Sequence, residues 1–160
     1  MNTKIVDLEE LGKIVGELKE QGKKIVATSG CFDILHAGHV AYLNEAKKLG
    51  DILVVFVNSD YSVRQLKGDE RPIVSQAERA YVLSGLESVD YICFFNELTP
   101  CNVLRNIKPE IFAKGGDYQG RDIPEMNVLE TYGGQIQYLN IVYQCSSTNI
   151  IEKIKELVKK

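Results

Sequence analysis

The segment Asp51 to Val57, DILVVFV, is apolar at six successive positions from Ile52 to Val57. A strand with one wet face alternates apolar and polar residues. An unbroken run reads as a strand covered on both faces, as in a parallel sheet flanked by helices. The run is far short of the roughly 20 residues that cross a membrane as a helix. The rest of the chain must therefore supply helices for two faces.

It does so in alternation. Leu8, Leu11, Ile14, Val15 and Leu18 recur at helical spacing, which predicts an amphipathic helix over about 6–21, stopped at Gln21-Gly22. Lys24 to Thr28 predicts a buried strand, Gly38 to Leu49 a helix, and Asp60 to Leu66 a short helix. Lys67 to Pro72 is a polar loop. Ser75 to Leu86 reads as a helix, with Ser75 and Glu78 spaced for a capping box. Tyr91 to Phe94 is a third strand. A helix starts with Thr99 as cap and Pro100 at its first position, and ends before Pro109. Glu110 to Ala113 and Gln135 to Leu139 are strands, with a helix over about 125–132 between them. Ser147 to Val158 is the last helix. Strands alternating with helices predict a five-stranded, doubly wound, Rossmann-like parallel sheet with right-handed crossovers.

No linker or repeat divides the 160 residues, so a single domain over 1–160 is expected: a helix within 1–22 and a catalytic core over 24–160. A net charge of −3 and no basic stripe argue against a nucleic-acid partner, because such binding rests on phosphate neutralisation. The start lacks a basic region followed by an apolar core, and Cys31, Cys93, Cys101 and Cys145 form no C-x-x-C pair. A cytoplasmic protein with reduced thiols, away from membranes, is the expectation. Neither a P-loop nor a G-x-G-x-x-G motif occurs.

Ligands of such sheets bind beyond the carboxyl ends of the strands, near the point where strand order reverses. After the first strand comes Ser29-Gly30-Cys31-Phe32-Asp33-Ile34-Leu35-His36-Ala37-Gly38-His39, which holds both histidines of the chain. Spacing of three puts two rings on one helix face, and Gly38 between them lets a phosphate near the backbone. Free N–H groups at the helix start favour an anion there. Zinc is the weaker reading, since further ligands would have to be Cys31 or Asp33 without standard spacing.

The segment from Gly30 to His39 resembles the H-x-G-H signature of the cytidylyltransferase-like nucleotidyltransferases, a HUP-type fold. Lys67-Gly68-Asp69-Glu70-Arg71-Pro72 and Glu78-Arg79 resemble its middle elements, and Cys145-Ser146-Ser147-Thr148-Asn149 its Ser/Thr-rich element. Lys114-Gly115-Gly116-Asp117-Tyr118 narrows the likeness to the adenylyltransferase domains of bacterial ADP-heptose synthases. That resemblance implies transfer of AMP from ATP to D-glycero-β-D-manno-heptose 1-phosphate, giving ADP-heptose and pyrophosphate for heptose-containing surface glycans. It also implies Mg²⁺ carried with ATP, a sugar kinase as a separate chain, and a homodimer or higher homo-oligomer.

It assigns roles as well. His36 and His39 meet the triphosphate, and Lys67 bridges donor and acceptor phosphates. Arg71 or Arg79, with Ser147 and Thr148, holds the β- and γ-phosphates. Gly30, Cys31, Phe32, Gly38 and Ser146 complete the nucleotide site. Lys67 and Arg71 are long cations able to reach phosphates, although by composition alone their loop reads as a solvated charged segment. Arg79 reads either as a surface ion pair with Glu78 or Asp69, or as a phosphate ligand.

Lys114, Gly115 and Asp117 read as a tight turn or as a close approach to base and ribose. Ser147 reads as a helix cap, a phosphate ligand, or both. Asp33, Asn58 and Asp60 are candidate contacts of the acceptor. Glycerol-3-phosphate cytidylyltransferases and FMN adenylyltransferases carry related signatures. The compared cytidylyltransferases have an arginine-rich approach to the Ser/Thr element, whereas this chain has Val142-Tyr143-Gln144-Cys145, which favours the heptose branch. A non-catalytic nucleotide-binding module is the remaining alternative, and intact His36, His39 and Lys67 argue against it.

Overall fold

The computed structural model describes residues 3–140, 143 and 145–159. The elements follow the predicted order: α1 (Leu8–Glu20), β1 (Ile25–Gly30), α2 (Ala37–Lys47), β2 (Ile52–Asn58), α3 (Asp60–Lys67), α4 (Gln76–Ser84) and β3 (Tyr91–Phe95). Then come α5 (Cys101–Ile107), β4 (Ile111–Gly115), a 3₁₀ turn (Gly116–Tyr118), α6 (Pro124–Glu130), β5 (Gln135–Leu139) and α7 (Ser147–Val158).

All strand pairs are parallel, in the order β3-β2-β1-β4-β5. The chain winds outward from β1 to β3, returns to the other side of β1, and continues through β4 to β5. The order therefore reverses between β1 and β4.

Side chains of a strand alternate between faces. Ile25, Ala27, Val54 and Phe56 join one core with Leu11, Val15, Leu104 and Leu129, beneath α1, α5 and α6. Val26, Leu53, Val55 and Val57 join the other with Leu43, Ala46, Ala80 and Leu83, beneath α2 and α4. This is why β2 is apolar at every position. Each large aliphatic or aromatic side chain taken fully out of water contributes about 1.5–3 kcal/mol.

Local signals set the ends of the helices. Asp7 caps α1, accepting from Glu10 N at 2.8 Å. Ser75 and Glu78 form the expected capping box on α4. Lys108, in left-handed backbone before Pro109, ends α5.

Two expected caps are corrected. Pro100, not Thr99, holds the cap position of α5, which begins at Cys101 without a side-chain cap. Ser146, not Ser147, caps α7, accepting from Asn149 N at 3.0 Å. β1, β2, β3 and β4 also run one or two residues beyond their predicted ends, so Gly30, Asn58 and Gly115 are strand residues at the lip of the sheet. All four cysteines are free thiols. Among the described residues no helix is long and apolar enough to cross a membrane.

Candidate active site

A cleft of about 580 Å³ opens over the carboxyl ends of β1 and β4, where the strand order reverses. Its floor is the turn from β1 into α2. Phe32 and Ile34 have φ of 49° and 56° there, a left-handed backbone that side-chain-bearing residues seldom adopt, least of all β-branched ones.

Asp33 holds this strained turn. Its carboxylate accepts from Arg71 Nε at 2.7 Å, from Ile73 N at 2.9 Å and from Val74 N at 3.0 Å. Its carbonyl accepts from the Ser147 hydroxyl. Burial pushes the carboxyl pKa up, but these hydrogen bonds and the guanidinium outweigh it and hold it below the usual carboxylate range. Asp33 lines the cleft, but the residue is only 1% exposed and its carboxylate is committed to the frame.

His36 occupies the cap position of α2 and His39 its first turn. Their rings stack with centroids 3.8 Å apart and planes 21° apart, with Phe32 tilted against His39 at 5.2 Å. A Cβ on Gly38 would lie 3.0 Å from His36 Cε1. The glycine thus makes room for the imidazole as well as for a ligand.

Burial lowers the pKa of His36. Burial, then His36 and Lys67, lower that of His39 to about 4. Both rings are consequently neutral at pH 7 in the free protein. His36 Nδ1 and Nε2, His39 Nδ1 and Arg71 Nη2 are buried with no partner among the described residues. Leaving a buried polar atom unpaired costs about 1–3 kcal/mol. Such atoms converging on one cleft mark a place made for a polar, anionic guest.

The other walls follow from the topology. Lys67, the last residue of α3, reaches the cleft from the β2 side and makes no hydrogen bond or ion pair among the described residues. Asn58, Leu66, Phe95 and Leu98 line the same side. Ser146, Ser147 and Thr148 bring the start of α7 over the floor. From the β4 side come Lys114, Gly115 and Asp117, together with Tyr118 and Glu125. Gly30, Cys31 and Phe32 line the base, where burial raises the Cys31 thiol pKa against the pull of Lys67, Arg79 and Arg71.

Two expected site residues stand elsewhere. Arg79 is 2% exposed beneath the cleft and donates to the carbonyls of Val74, Cys31 and Asn58 and to Asp60 Oδ1 at 2.9 Å. Its guanidinium knits the loops behind the floor instead of lining the cleft. Asp60 is its partner and does not line the cleft.

Sequence reasoning missed Tyr42, Tyr118 and Glu125. Tyr42 follows His39 by three residues, the same-face spacing, and its hydroxyl meets Thr28 Oγ1 at 2.8 Å. Glu125 sits in the first turn of α6, where an acidic residue ordinarily reads as solvated. Val142 and Gln144, part of the approach to the Ser/Thr element, lie outside the described residues.

The cytidylyltransferase-like family model matches residues 27–153. The bifunctional protein HldE of Geobacter metallireducens is 47% identical over 153 residues, covering 96% of this chain and 31% of the relative. The protein of the same name from Aliarcobacter butzleri is 46% identical over 155 residues, covering 97% and 32%. The chain thus spans about a third of the length of these curated relatives. A solved lipopolysaccharide core biosynthesis protein of Thermoplasma volcanium superposes with a TM-score of 0.63 at 34% identity, over 78% of this chain and all of that one. Pantoate-beta-alanine ligase of Francisella tularensis shares the fold at TM-score 0.61 and 17% identity, over 98% and 79%.

Proposed function

The chain belongs to the cytidylyltransferase-like family, and from that premise we propose that it transfers AMP from ATP to D-glycero-β-D-manno-heptose 1-phosphate, releasing pyrophosphate. The single observation that carries this reading is the set of unpartnered nitrogens of His36, His39 and Arg71 converging over the β1–β4 switch point. Each neutral imidazole has one N–H to give and Arg71 Nη2 has its own, so the set offers donors to phosphate oxygens. The likeness to HldE proteins and to a lipopolysaccharide core biosynthesis protein favours a sugar phosphate as acceptor.

The acceptor oxygen is already ionised at pH 7, so attack on the α-phosphate needs no general base. Catalysis is alignment plus stabilisation of charge as pyrophosphate departs. Neutral His36 and His39 lie where the triphosphate's negative charge arrives, and they donate N–H as it grows. Lys67, free to swing from the end of α3, spans the two substrates' phosphates. Arg71 is fixed through Nε by Asp33 and offers Nη2 to the phosphates. Ser146 and Thr148 at the start of α7 close over the far phosphates.

Among the described residues no group of three or more His, Cys, Asp and Glu could hold a metal ion. Of the cleft carboxylates, Asp33 and Glu125 are ion-paired, while Asp117 has no ion-pair partner among the described residues. This donor set fits Mg²⁺ carried chiefly by triphosphate oxygens and water, for which Asp117 would be the available carboxylate. When bound, the ion would supply charge neutralisation for the leaving pyrophosphate.

The test is pyrophosphate release by purified protein with Mg²⁺, pairing ATP or CTP with heptose 1-phosphate, glycerol 3-phosphate or FMN. Release with ATP plus heptose 1-phosphate alone is expected. Release with another pair moves the substrate, and silence in all six overturns the proposal.

A further inference from the structure

Glu125 has no task in the phosphate chemistry, yet it is buried at 3% exposure on the wall of an anion-binding cleft. Desolvating a carboxylate costs several kcal/mol unless it is paired. Its partner is Lys114, at the end of β4, whose Nζ lies 2.8 Å from Oε1 and 4.5 Å above the centre of the Tyr118 ring. Carboxylate and ring together fix the ammonium and use up its charge. Lys114 is thus unlike Lys67, which is free to meet a phosphate.

Glu125 Oε2 makes no hydrogen bond among the described residues, and Glu125 lines the cleft. Asp117 lies on the same wall. Arg121 lies 5.6 Å from the centre of the Tyr118 ring without lining the cleft, so what this wall shows the cleft is carboxylate oxygen that accepts hydrogen bonds, with the one ammonium already paired. The guest suited to such a wall is neutral there and rich in O–H donors. The wall belongs to β4, on the opposite side of β1 from Lys67 and Asn58, so the guest lies to one side of the phosphates.

We propose that Glu125, positioned by Lys114, is a specificity-determining residue that accepts hydrogen bonds from vicinal hydroxyls of a sugar ring seated beside the phosphates. The inference rests on the nucleotidyl-transfer reading, which brings two such rings to the cleft: the ribose of the nucleotide and the acceptor sugar.

The experiment measures binding of ATP, 2′-deoxy-ATP and 3′-deoxy-ATP by calorimetry, and KM for heptose 1-phosphate, in wild type and Glu125→Ala. A site built to bond a hydroxyl rejects the analogue lacking it, here by about tenfold or more. If the ribose is the guest, wild type discriminates against a deoxy nucleotide and Glu125→Ala cuts the ratio to within about threefold. If the acceptor is the guest, the ratio stays and KM for heptose 1-phosphate rises about tenfold, while ATP binding changes little. A merely structural Glu125 would weaken ATP and its deoxy analogues alike. An unchanged ratio with an unchanged acceptor KM therefore overturns the inference.

Glu125→Gln keeps an oxygen for Lys114 and turns an N–H toward the sugar, so it serves the same comparison should the alanine variant melt early. Wild type that binds no ATP at all would overturn the nucleotide reading itself, and this inference with it.

Discussion

His39 is buried beside a second imidazole and near Lys67, and these surroundings keep it neutral down to about pH 4. In the unfolded chain it protonates near its ordinary value of 6.5. Its folded pKa is thus depressed, so the unfolded state binds the extra proton and stability falls as pH drops from about 6.5 to 4. The depressed carboxyl of Asp33 acts lower, its stabilisation being lost as pH falls below 3.8. Replacing His39 by Asn should flatten the upper part of the acid melting curve, by roughly 5 °C between pH 6.5 and 4.5, in a thermal-denaturation series. Turnover of His36→Ala or His39→Ala should fall by more than about tenfold, with circular dichroism at pH 7.5 unchanged. Near-normal rates in both would remove the histidines from the mechanism.

Arg79 should behave in the opposite way. Arg79→Met leaves Asp60 and three carbonyls without their donor, and should cost about 3–5 kcal/mol of unfolding free energy in urea titration. The histidines were legible because both stand at helical spacing after a strand. The burial of Arg79 was not, because a basic residue one turn into an amphipathic helix looks the same whether it meets water or carbonyls of distant loops. Glu125 was hidden for the same reason, since its partner comes from β4 and not from its own helix.

The start of α2 sets the rings, and Gly38 sets the space for them. In a helix, Gly→Ala raises intrinsic stability by up to about 1 kcal/mol. Here the new methyl would press on His36 Cε1 and Nδ1 at 3.0 and 3.1 Å, and the ring, a movable side-chain end, has to yield. Gly38→Ala should therefore melt at or above the wild-type temperature while losing about tenfold or more in kcat, a split visible in paired melting and steady-state assays. At the other end of the site, α7 is held by the Ser147 hydroxyl on Asp33. The hydroxyl-to-cap pattern at 146–148 was readable, but which serine caps and which reaches across the chain was not. Local spacing allows both, and the carbonyl of Asp33 decides. At α5 the Thr-Pro pair misled by one residue because the backbone turns helical only at Cys101.

At the scale of the whole molecule, the cleft sits between the two halves of the sheet, so a nucleotide touching both should stabilise the entire fold. ATP at about a hundred times its dissociation constant contributes about 2.7 kcal/mol, or roughly 5–10 °C in melting temperature for a chain of this size. Differential scanning fluorimetry should show that rise in wild type and lose it in a His36→Ala, His39→Ala double variant. The architecture was legible almost in full, because alternating apolar runs and helical stripes leave few ways to cover a parallel sheet. The strand order was expected only as a class, since pairing β1 with both β2 and β4 depends on long-range packing that no local window contains.

Asp33 touches Arg71 and Val74 ahead of it in the chain and receives Ser147, 114 residues further on. During synthesis the histidine turn emerges well before Ser147, the strut that braces it from above. The sheet can be nearly complete while the phosphate pocket still lacks its roof. A sheet formed before α7 docks would therefore hold its shape before the cleft is braced from above.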